Sequence, residues 1–168
     1  MVALYIIRCF LIMKNKEDSM QTKNFALIGG LIMSIMGIIS FIPAMNVTEG
    51  LPPLMVNTSY GMFLDIFPMN IFNKAALLIF GIAGVWAYFT PENNLYYTSL
   101  YAKVVFWVMG ALALLGLFPQ TNTLFGYWPL FGFEIIAHGA FAIAGAYYGY
   151  IVNKHASYNS RPHRLHKV

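Results

Sequence analysis

Four long apolar runs, at residues 25–42, 71–89, 99–118 and 130–152, decide what this chain can fold into. Each approaches the ~20 apolar residues that cover the hydrocarbon core of a bilayer as a helix. None shows the strict alternation of a membrane β-strand. Three of the runs are closed by proline, at Pro43, at Pro91 after Thr90, and at Pro119. Proline there stops a helix without breaking its interior. Thr98 or Ser99 reads as the N-cap of the third run.

The charges explain why water is excluded as the solvent. Of 168 residues, 59% are hydrophobic and 10% charged, against ~25% charged in a typical soluble domain. Between residues 25 and 152 the charges are only Glu49, Asp65, Lys74, Glu92, Lys103 and Glu134. Six charges cannot clothe a soluble surface of that size. This excludes an ordinary soluble enzyme, a disordered chain and a nucleic-acid-binding domain. The expected fold is all-α: an integral membrane four-helix bundle, with the lipid bilayer as its main partner.

The net charge of +4 is concentrated at the two ends. Arg8, Lys14, Lys16 and Lys23 precede the first run, and Lys154, Arg161, Arg164 and Lys167 follow the last. Four spans put both termini on one side, and the positive-inside rule makes that side cytoplasmic. Residues 43–70 and 119–129 contain no Lys or Arg, as expected outside. The expected location is a bacterial inner membrane. The organisation expected is a cytoplasmic segment at 1–24, the span domain at 25–152 and a basic tail at 153–168. Residues 1–13 are too short to span, and read as signal-like or interfacial; Met13 and Met20 are alternative starts. Within the long first loop, residues 59–67 are apolar enough to lie on the membrane as a short helix.

Cys9 is the sole cysteine, so neither an intrachain disulfide nor a cysteine metal cluster can form. His138 is the sole histidine within the spans, which excludes bis-histidine haem ligation by one chain. His155, His163 and His166 read as part of a solvated tail. No catalytic residue, metal site or cofactor is assigned.

The two halves of the chain resemble each other. Phe41, Ile42 and Pro43 match Leu117, Phe118 and Pro119; Pro68 matches Pro129. Gly81, Ile82, Ala83 and Gly84 follow Asn73 at the spacing by which Ala142, Ile143, Ala144 and Gly145 follow Glu134. The pattern implies two tandem helical hairpins related by an axis along the membrane normal. Gly81, Gly84, Gly145 and Gly149 are the expected packing positions, where small residues let helices approach closely. The Gly145–Gly149 spacing also suits a homodimer.

The candidate site is expected on the outer side. Glu134 and His138 are four residues apart and share a helix face. Such a pair can relay a proton, hold a polar ligand or lock the bundle through a hydrogen bond. Lys74 lies at the matching level of the second run, where it can pair with Glu134 or Asp65 or snorkel to headgroups. With Asn73, and with Asp65 and Tyr60 at the border, these residues form the candidate polar site.

Pro68, Asn70, Asn73, Gly81 and Gly84, with Phe125, Gly126, Tyr127, Trp128, Pro129, Leu130 and then Glu134 and His138, resemble the domain-of-unknown-function 4383 family of small four-span bacterial membrane proteins. The likeness covers roughly residues 25–152. It implies the four-span topology and no established activity. It also implies histidines in the second span, where this chain has Asn73 and Leu77. DoxX-related four-helix subunits, tied to respiratory electron transfer, are a more distant likeness. The leading expectation is a noncatalytic structural or accessory subunit, alone, as a homo-oligomer or in a larger complex. The alternatives are a small proton-coupled transporter and a DoxX-like redox subunit.

Overall fold

The computed structural model describes the backbone of residues 2–91 and 94–152, and side chains from residue 12 apart from residue 15. Glu92, Arg8, Cys9 and the histidine-bearing basic tail lie outside the described residues or side chains.

Helix α1 runs from Val2 to Ile39. No glycine or proline occurs before Gly29, so nothing interrupts it between the charged segment and the first span. At 38 residues it is roughly 57 Å long, well beyond the ~30 Å of a hydrocarbon core. A candidate span lies within Ile12–Ile39, its uncharged part following Lys23. Helix α2 is Ile71–Phe89 and helix α3 is Asn94–Gly116. Helix α4, Phe133–Ala146, continues as a π-helical segment, Tyr147–Val152.

The third helix starts earlier than its N-cap expectation. Thr98 lies inside α3, its hydroxyl donating to the Asn94 carbonyl at 2.7 Å. This i−4 bond satisfies the hydroxyl within the helix, so Thr98 has no need to cap. The expected surface helix at 59–67 is also replaced, here by β-structure. Strands β1 (Asn46–Val47), β2 (Gly61–Phe63) and β3 (Phe67–Met69) form one antiparallel sheet in that order. Phe63 alternates inward and is fully buried, while the turn residues Leu64 and Asp65 adopt positive φ and stay exposed. Gly61 allows the close pairing, since a β-carbon there would sit 3.0 Å from that of Asn46.

The helices pack as two intimate hairpins, α1 with α2 and α3 with α4. Helix α3 also meets α1 and α2. The core between them holds Ala26, Met33, Ala87, Tyr101, Val105, Met109 and Ala142. Close approach is set by small residues. A β-carbon on Gly84 would lie 2.6 Å from the Ala26 carbonyl oxygen, and one on Gly145 2.7 Å from that of Ala102. Gly30 meets Gly81 backbone to backbone, and Gly149 lies against Lys103. Gly145 and Gly149 are therefore spent on α3, inside the chain.

No more than a third of any span is buried. The outward surface carries Ile35, Ile79, Ile82, Leu114 and Ile143, all well exposed. Water-soluble monomers do not expose contiguous apolar area on this scale. With four helices of crossing length and hydropathy, the chain is an integral membrane protein.

Candidate functional site

Loops 40–70 and 117–132 meet at one end of the bundle, called here the sheet end. A chain of asparagines fastens them. The Asn70 side-chain oxygen accepts from Phe72 N–H at 3.0 Å, starting α2. Its amide nitrogen donates to the carbonyls of Val56 and Tyr127, at 3.2 and 2.7 Å. Asn73 accepts from the Asn70 N–H and donates to the Pro129 carbonyl at 3.1 Å. Both asparagines are buried, and buried polar groups need such partners. Backbone bonds from Met55 and Val56 to the Gly126 carbonyl add to the same seam.

Lys74 is buried at 1% exposure. Its ammonium donates to Asn46 Oδ1 at 3.2 Å and Ser59 Oγ at 3.0 Å, with the Phe41 ring 5.6 Å away. Among the described residues its partners are neutral, and neither Glu134 nor Asp65 pairs with it. Asn46 in turn donates to the carbonyls of Ser40 and Ile42, just past the end of α1. The cation thus links the start of α2 to the end of α1 through β1. Asp65 is exposed in the β2–β3 turn. Tyr60 donates to the Pro52 carbonyl at 3.2 Å, and partial burial pushes its phenol above the usual value.

Glu134 and His138 do come together. Glu134 is in the first turn of α4 and 5% exposed. A carboxylate at that place is favoured by the helix dipole. Its Oε2 is 3.6 Å from His138 Nδ1, a separation too long for a hydrogen bond. Glu134 Oε1 and His138 Nδ1 are both buried without a hydrogen-bond partner. Among the described residues no third His, Cys, Asp or Glu joins them in a metal-binding group. The pair can exchange a proton, or receive a hydrogen bond from a small polar molecule.

The candidate residues thus divide into two structures: a loop fastening at Asn73 and Lys74, and a buried pair on α4. The Asn73–Pro129 bond leads from one towards the other, ending five residues before Glu134. This arrangement accompanies a family match, to the domain of unknown function DUF4383, over residues 23–151. The chain belongs to the DUF4383 family. No curated protein and no solved structure matches it. In this DUF4383 chain, Asn73 and Leu77 occupy the positions where the resemblance implied histidines. Asn73 ties the loops, and Leu77 packs against the core.

Sequence reasoning gave Asn46 and Ser59 no part in the site, and named Asn70 in the family resemblance alone. Asn70 carried a readable signal, an asparagine just before an apolar run, followed three positions later by another amide. Asn46 and Ser59 carried none, because their partner lies across a long loop.

Proposed function

We propose that this DUF4383 chain is a noncatalytic membrane subunit, a four-helix scaffold that serves as a structural or accessory part of a larger assembly. The observation that carries this reading is the use made of Lys74. The lysine that the sequence offered as a partner for Glu134 is instead engaged by Asn46 and Ser59 in holding the sheet end together. Asn70 and Asn73 serve the same purpose. A proton-coupled carrier is the second reading, supported by the partnerless, buried Glu134 Oε1.

Reconstituted liposomes loaded with a pH-sensitive dye separate the two. The scaffold reading expects no proton flux above that of empty liposomes. It also expects His138→Ala to lower stability by about 2 kcal/mol through the lost packing of a mostly buried ring, and Glu134→Gln to stay within about 1 kcal/mol of wild type, since Glu134 Oε1 has no hydrogen bond to lose. Flux that disappears in Glu134→Gln, with melting unchanged, would establish the carrier instead.

The scaffold lies in a bacterial inner membrane with its sheet end outside, a placement supported by the eight basic residues flanking the first and last spans. In a Cys9→Ser background, Glu49→Cys should react with a membrane-impermeant maleimide in intact cells. Labelling only after lysis would reverse the orientation.

The two hairpins descend from one duplicated unit. Their packing registers support this. Ala26 and Ala102 stand 76 positions apart, as do Pro43 and Pro119; Gly84 and Gly145 stand 61 apart, as do Pro68 and Pro129. The Ala26–Gly84 and Ala102–Gly145 contacts are thus counterparts.

A further inference from the structure

Helices α1 and α4 do not close on each other along their length. Helix α1 meets chiefly the π-helical end of α4. There Thr22 donates to the Tyr148 carbonyl and Phe25 stacks on the Tyr148 ring at 4.9 Å. Alongside this contact an open groove of about 430 Å³ runs between the helices, lined by Phe25, Gly29, Ile32, Ala140, Ala144 and Tyr148, with Gln21 and Asn24 at one end. Gly29 contributes to its width, because a β-carbon there would already reach the Phe141 ring at 3.6 Å.

We propose that this groove holds one acyl chain of a glycerophospholipid, with the polar head of the lipid at Gln21 and Asn24. Dimensions favour this occupant. From Gln21 to Ile32 the lining residues of α1 span roughly 16 Å. The stated volume over that length leaves a cross-section of about 27 Å², while a helix ~10 Å across occupies roughly 80 Å². A single extended hydrocarbon chain lies within the groove along its length, whereas a partner helix would only rest across its mouth.

Polarity runs the same way. Along α1 the sequence changes from charged and amide residues to apolar ones between Asn24 and Phe25. Tyr147, Tyr148 and Tyr150 mark the matching level at the end of α4, where aromatic residues favour the membrane interface. Amide side chains at this level match the ester carbonyls and phosphate oxygens of a lipid head. The groove therefore has an amphiphile's outline, apolar along its body and hydrogen-bonding at one tip. It lies at bilayer depth, where lipid is the surrounding solvent.

Native mass spectrometry of the full chain tests this. The protein is stripped of lipid in detergent, then mixed with palmitoyl-oleoyl phosphatidylcholine, whose zero net charge removes simple attraction to the basic residues. One retained lipid per chain is expected. Ala140→Leu with Ala144→Leu fills the groove and should lower that occupancy about tenfold. Ile143→Leu, on the exposed face outside the groove, should leave it unchanged. Equal retention by all three overturns the proposal.

A second measurement does not depend on the filled variant folding. A photoreactive amino acid at Ile32 should give a lipid adduct that survives washing in lipid-free detergent before illumination, while the same group at Ile143 should not. Loss of both adducts on washing, or cross-linking of Ile32 to a second polypeptide, refutes a lodged acyl chain. Neither readout depends on whether the chain conducts protons.

Discussion

Gly84→Val is expected to separate the first pair of helices and destabilise the protein by about 3 kcal/mol or more. Forced overpacking ordinarily costs ~1–3 kcal/mol, and two features place this site at or above the top of that range. The first obstacle is the Ala26 carbonyl oxygen, which would be 2.6 Å from the new β-carbon. A backbone oxygen can yield only if α1 moves as a body. The second is the Tyr101 ring, 2.8 Å away and itself buried, so relaxation towards α3 is also blocked. Gly145→Val should show a comparable loss, since the Ala102 carbonyl and Phe106 backbone nitrogen lie 2.7 and 2.8 Å from its β-carbon.

Gly139 is the control. It is in the same helix as Gly145, with nothing within 4 Å of a β-carbon. Gly139→Ala should stabilise by up to ~1 kcal/mol through helix propensity. Thermal unfolding in detergent, followed by near-ultraviolet circular dichroism, measures all three. A wild-type melting curve for Gly84→Val would mean the hairpin is not packed as described.

Asn70→Ala has the next largest expected effect, also about 3 kcal/mol. The cap on Phe72 N–H contributes ~1 kcal/mol. The remainder comes from the Val56 and Tyr127 carbonyls, which lose their side-chain donor at a fully buried position, at about 1 kcal/mol each. Asn70→Ser separates the two parts. Serine retains a capping oxygen but lacks the reach to bridge both loops, so it should recover about 1 kcal/mol of the loss. Limited proteolysis gives an independent readout, with faster cleavage in residues 48–60 expected for both variants. Equal melting of the alanine and wild-type proteins would show that the loops are held by backbone bonds alone.

The spans were legible because hydropathy acts on each helix separately. A run such as 71–89 must satisfy its own backbone in lipid whatever it packs against, and its bounds coincide with α2. The Glu134–His138 contact was legible for a similar reason, since both residues sit on one helix and their four-residue spacing determines the geometry. The partners of Lys74 were not. They come from a loop of about 28 residues, where the closing pairs Asn46–Phe63 and Phe63–Phe67 belong to strands of two or three residues. Strands that short leave no periodicity to read. The start of α3 was obscured by chemistry that works twice, because a threonine hydroxyl can cap a helix or bond back within it. The sheet end was thus understood in composition but not in wiring.

The intimacy of each hairpin bears on how the protein is made. Once Phe89 has been synthesised, α1 and α2 already possess their whole shared interface, from Ala26 against Gly84 to Gly37 against Leu78. The Tyr101 ring beside Gly84 is added to that interface later, with α3. Helices α3 and α4 are equally self-sufficient, with Gly145 seated on Ala102 and Gly149 on Lys103. A ribosome feeding this chain into a membrane would therefore release two finished pairs in succession. The seam through Asn70, Tyr127 and Pro129 would be the last to form, joining two pieces that each arrived already folded.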